Sequence, residues 1–124
     1  MNTTASTLAT LAKPGLEGLG FLVEKVEDEG RRVVAVRNGP YSRQELALQL
    51  SGASRLRATM RVCATAPGVG VVRWRPTSLS PFGIPDDGVE YGDRWGMKPA
   101  VDEVLGVMRV FVVPLLDKLP DMGR

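Results

Sequence analysis

Arg55-Leu56-Arg57-Ala58-Thr59-Met60-Arg61-Val62-Cys63-Ala64-Thr65 is the stretch whose reading decides the fold. Its even-numbered side chains are all apolar and its odd-numbered ones are arginine, threonine or cysteine. That period of two is the pattern of a strand with one face in a core and the other in water. The preceding segment repeats it, with Leu46, Leu48 and Leu50 alternating against Glu45, Ala47, Gln49 and Ser51, and with Val34 and Val36 earlier still. Turn residues separate the runs at Asn38-Gly39-Pro40, Gly52-Ala53-Ser54 and Ala66-Pro67-Gly68.

The same alternation fixes how the strands meet. Leu50 opposite Leu56 sets Leu48 against Ala58, Leu46 against Met60, Glu45 against Arg61 and Gln49 against Arg57, and a slip of one residue would turn every leucine to solvent. Keeping apolar against apolar in the next hairpin sets Val62 opposite Val72 and Met60 opposite Trp74, with Trp74 inward. Arg61 then meets Arg73 and Thr59 meets Arg75, so that Arg57, Arg61, Arg73 and Arg75 share the outward face.

Working outward, the pattern predicts a five-stranded antiparallel meander with strands at about 20–27, 31–38, 44–51, 55–65 and 69–77. Asp28-Glu29-Gly30 closes its first hairpin. A helix at about 6–18 precedes it, with Leu8, Leu11, Ala12 and Leu16 on one side and Gly18 and Gly20 as its stop. Pro14 implies that this helix starts late or breaks near Ala12. A second helix, about 98–119, has Pro99 in its first turn and Val101, Val104, Leu105, Met108, Phe111, Val112, Leu115 and Leu119 on its core side, with a kink expected at Pro114. Residues 78–96 between sheet and helix form a loop long enough to be functional or poorly ordered.

The expected fold is a single α+β domain over residues 1–124, the N- and C-terminal helices covering one face of the sheet. Its core comprises Leu46, Leu48, Leu50, Leu56, Met60, Val62, Val72, Trp74, Val104, Leu105, Met108, Phe111, Val112 and Leu115. Val107, Val110 and Val113 fall on the far side of the last helix, beside Glu103 and Asp117. A second apolar strip of this kind predicts a homodimer with the C-terminal helix in its interface.

Composition narrows the chemistry. The 124 residues are 44% hydrophobic and 24% charged, in the range of an ordinary globular domain. There is no histidine and only one cysteine, Cys63, which excludes a Ser/His/Asp triad, a Cys/His dyad, the usual Cys/His zinc sites and an internal disulfide. The first sixteen residues lack a basic region followed by an apolar run, and Val104 to Leu116 is too short for a bilayer, so a cytoplasmic protein is expected. The net charge of +2 conceals an asymmetry: residues 31–75 hold nine arginines and one acid, a charge of +8, and the remaining 7 bases and 13 acids give −6. An arginine-rich composition is also what a GC-rich genome produces.

Three candidate chemistries are weak in this sequence. Cys63, with no histidine to serve as its base, reads as a packing residue. Asp86, Asp87, Glu90 and Asp93 carry oxygens for a hard cation, but their spacing is not that of a calcium loop. Gly15-Leu16-Glu17-Gly18-Leu19-Gly20 precedes a strand, where a phosphate-cradling loop would precede a helix. The arginine face is what remains, because facing arginines repel unless anions intervene. The expected function is a small non-enzymatic adaptor, with no cofactor or metal, that recognises an acidic protein or peptide through Arg57, Arg61, Arg73 and Arg75 with Tyr91 and Trp95 from the adjoining loop. The alternatives are nucleic acid on the same arginines, a metal-dependent enzyme built on the 86–93 loop, and neutralisation of the arginines by the chain's own acids.

Overall fold

β3 (Ser42–Ser51) and β4 (Arg55–Ala64) pair antiparallel along their full length, Leu50 opposite Leu56, Leu48 opposite Ala58 and Leu46 opposite Met60. This is the register that the alternation predicts. The computed structural model describes residues 3–40, 42–52, 54–64, 74–91 and 97–118. On one side of the ladder β2 (Arg32–Asn38) and then β1 (Leu22–Glu27) continue the antiparallel meander. On the other side two short strands share the edge of β4: β5 (Arg75–Thr77) pairs with residues 60–62, and β6 (Val89–Glu90) with residues 55–56. The fold is α+β, with helices at both ends of the chain and an antiparallel sheet between them.

α1 (Thr3–Gly18) puts Leu8, Ala12 and Leu16 fully into the core and packs on β1 and β2. Pro14 lies inside the helix and neither delays nor ends it. The stop is chemical and local. Gly20 sits at φ +92°, and the Phe21 and Gly20 amides donate back to the Leu16 and Glu17 carbonyls at 2.9 and 3.0 Å. This Schellman closure satisfies carbonyls that the helix end would orphan and turns Phe21, fully buried, onto Leu16. The β1–β2 connection is tighter than a glycine turn requires, since Asp28 and Glu29 are left-handed along with Gly30.

The last helix begins as α2 (Lys98–Val107), passes through a π-helical stretch, Met108–Val112, and ends as α3 (Val113–Lys118). The backbone stays right-handed at both joins, and the Val113 amide donates to the Met108 carbonyl five residues back. Pro114 has no amide of its own and cannot close a regular turn onto Val110, so a widened turn placed just before it takes up the mismatch. The consequence is a change of phase. The buried residues are Ala100, Val101, Val104, Leu105, Met108, Val112 and Leu116, whereas Phe111, expected in the core, is 55% exposed and Leu115 is only half-buried. Val107 and Val113, expected on the far side of the helix, pack partly against the core.

Residues 78–91 are structured. A 3-10 turn, Ser80–Phe82, and β6 lie within the expected loop, and Leu79 and Ile84 are buried with the sheet's apolar face. Val72 of the expected core, and Leu119 of the expected core side of the last helix, lie outside the described residues. Among the described residues no helix is long and apolar enough to cross a membrane.

These placements separate two residues that the sequence pattern assigns alike to the core. Met60 is 2% exposed, and Met60→Ala will lower unfolding free energy by about 2–5 kcal/mol. Phe111→Ala will cost less than about 1 kcal/mol. Urea denaturation of both variants measures the difference.

Candidate binding face

With the leucines of β3 and the even-numbered residues of β4 turned to the helices, the other side of the sheet is built in rows that cross the strands. Pairing gives one row of Glu27, Arg32, Gln49 and Arg57, a second of Lys25, Val34, Ala47 and Thr59, a third of Leu22, Val36, Glu45, Arg61 and Pro76, and a fourth of Asn38, Arg43 and Cys63. Val34 and Ala47 are buried although, among the described residues, no helix covers this side, and the long side chains of the flanking rows lie beside them. Leu22, at 69% exposure, stands at its edge.

Arg61 is held from two directions. It donates to Glu45 Oε1 from Nε at 2.9 Å and from Nη2 at 2.6 Å, and its guanidinium lies 5.2 Å from the centre of the Trp74 ring. Arg43 approaches the same ring at 5.9 Å, and its one acidic partner among the described residues, Glu24, is 3.8 Å away. Trp74 is therefore on the outward face and is not a core residue. The cause is the β4–β5 register. Val62 pairs with Arg75, Arg61 with Pro76 and Met60 with Thr77, three residues from the expected alignment, and an odd shift exchanges the two faces of a strand. Arg75 accordingly pairs beside Val62 on the core side of the sheet, exposed at its edge, and does not join Arg57 and Arg61.

The acidic loop meets the other end of the arginine face. Asp87 pairs with Arg55 at 3.2 Å, Arg57 Nε donates to the Asp86 carbonyl at 3.3 Å, and the Asp86 carboxylate accepts from Ser78 Oγ at 3.2 Å. Gly88 makes this approach possible: a Cβ there would lie 3.0 Å from the Leu56 carbonyl oxygen. Among the described residues no three acidic or cysteine side chains converge as a metal site, and Asp93 lies outside them.

Of the residues expected to form the site, Arg57 and Arg61 are together on the outward face. Tyr91, half-buried, packs against the core cluster, its amide donating to the Ser54 carbonyl at 2.7 Å. Arg73 and Trp95 lie outside the described residues. Sequence reasoning missed Arg43 and Trp74. Arg43 was legible, since extending the odd-numbered set of β3 by one residue includes it. Trp74 was not, because its side depends on the length of the 65–73 connection.

One arginine of the basic segment has a different use. Arg37 continues the inward row of Val33 and Ala35, and forks onto Asp117 at 2.9 and 2.6 Å while donating to the Leu19 carbonyl at 3.0 Å and to Gln44 Oε1 at 3.1 Å. Gln44 in turn donates to Ser42 Oγ at 3.1 Å, and both residues are fully buried. Asp117, expected on the outer side of the last helix, thus closes a polar cluster that ties α3 to β2 and to the end of α1. No buried side-chain nitrogen or oxygen among the described residues lacks a partner. The cluster is structural.

No protein family, curated protein or solved structure matches the chain, so the face is read from its own chemistry.

The two kinds of arginine predict opposite stability effects. Asp117→Ala strands the Arg37 guanidinium and should cost about 1–3 kcal/mol, whereas Arg57→Ala should stay within about 0.5 kcal/mol of the parent. Equilibrium unfolding in urea reads both.

Proposed function

We propose that this chain is a non-enzymatic binding module that recognises an acidic segment of another protein through the uncovered face of its sheet. The observation that carries the reading is the pair of arginines that keep charge to offer on that face, Arg43 beside Trp74 at one end and Arg57 three rows away at the other. Both helices lie on the opposite side, Arg57 has no acidic side-chain partner among the described residues, and Arg43 is only loosely paired. Arginine and tryptophan are the residue types most often found carrying binding energy at protein interfaces, and an arginine fork takes a carboxylate in two parallel hydrogen bonds. Arg61 acts as a support, its charge already answered by Glu45. A protein partner is favoured over nucleic acid because the Trp74 ring is covered by guanidinium groups, whereas single-strand binding needs open aromatic platforms. The buried thiol of Cys63 suits a reducing compartment, the cytoplasm.

Fluorescence titration with poly-glutamate, poly-lysine and an oligonucleotide tests the assignment. Poly-glutamate should give a saturable change that the Arg43→Glu/Arg57→Glu double variant weakens at least tenfold. Tighter binding of the oligonucleotide, with a steep loss on adding salt, would transfer the face to nucleic acid, and no response to either polyanion would end the reading.

Self-association through the last helix belongs to the same proposal. The exposed apolar pair there is Val110 and Phe111, each 55% exposed, in place of the three valines expected from the sequence. A two-fold related copy would cover both at once. Light scattering should show a dimer that Val110→Glu converts to a folded monomer; a parent chain that is monomeric at tens of micromolar contradicts it.

A further inference from the structure

A groove of about 640 Å³ runs between α1 and α2 on the helical side of the molecule, away from the arginine face. Leu11, Pro14 and Leu19 form one wall, Leu105 and Gly106 the other, and Arg109 stands at the rim. The volume falls within the roughly 300–1,000 Å³ typical of small-molecule sites.

Two features separate this groove from an ordinary seam between helices. The first is how its glycines are used. Gly15 makes room for Leu105, since a Cβ there would come within 2.6 Å of Leu105 Cδ1 and that side chain would have to move. Gly106 is not: a Cβ would meet nothing within 4 Å, although glycine inside a helix costs about 1 kcal/mol relative to alanine. Gly18, on the facing helix, is equally open. The second feature is charge. Lys98 is paired with Asp102 at 2.7 Å, while Arg109 has no acidic partner among the described residues, so the lining carries one uncompensated positive charge above an apolar floor.

We propose that this groove binds a small amphiphile with a carboxylate head and a slender hydrocarbon body, a medium-chain carboxylic acid. The chain lies over Gly106 and Gly18, where absent side chains bring it onto the helix backbones, and the carboxylate pairs with the Arg109 guanidinium.

Calorimetric titration of the full chain with decanoate, and with decanol as the uncharged comparison, tests both parts. Decanoate should bind saturably below the concentration at which it forms micelles, and at least tenfold more tightly than decanol. Arg109→Gln should remove that preference while leaving decanol binding in place. Gly106→Leu should abolish binding of both compounds without lowering the melting midpoint, and Gly18→Leu, from the opposite wall, should do the same. Decanoate binding that survives both leucine substitutions, or no saturable binding at all, would overturn the proposal.

Discussion

The pairing of Leu46, Leu48 and Leu50 with Met60, Ala58 and Leu56 constrains everything else in this molecule. These side chains reach the core only in one register, and that register commits the intervening residues, Glu45, Gln49, Arg57 and Arg61, to the other side. The apolar and the charged faces are thus one decision. Burial on the helical side supplies the stability that holds the four rows of the opposite side in place, with charged side chains exposed around the buried Val34 and Ala47.

The helices adapt to that sheet through their irregularities. Pro14 is accommodated within α1, and the closure at Gly20 ends the helix so that Phe21 folds back beneath it. In the last helix Pro114 forces a π turn, and the extra residue lets Met108, Val112 and Leu116 stay against the core while Phe111 rotates into solvent. Asp117 then arrives over the Arg37 guanidinium, joining the end of the chain to β2 and to the turn after α1. A fork onto a carboxylate at a partly buried site is directional, and it selects the orientation of α3 in a way that apolar contact alone would not.

The basic segment divides according to the partners the fold provides. Arg37 is structural, Arg55 and Arg61 are answered by Asp87 and Glu45, and Arg43 and Arg57 retain charge to offer. Acids from outside the segment, Glu24, Asp87 and Asp117, supply three of these contacts, so much of the charge asymmetry along the chain is cancelled in space. What remains is less than the count of arginines implies, Arg43 beside Trp74 at one end of the face and Arg57 at the other.

The sequence by itself determined the α+β class, the four strands from β1 to β4, the full register of β3 on β4, and the outward side of Arg57 and Arg61. Those features rest on local periodicity and short turns, where neighbours in the chain are neighbours in space. Whether Trp74 faces in or out was settled by a strand alignment across the 65–73 connection, and whether Phe111 is buried was settled by a π turn that shifts the helical period. The destination of Asp117 depended on contact with Arg37, 80 residues away. Each of these turns on a displacement of one to three residues or on a partner far along the chain, and the alternation of side chains carries no record of either. Only the packed tertiary structure, in which one alignment satisfies the core and the buried polar groups together, selects among them.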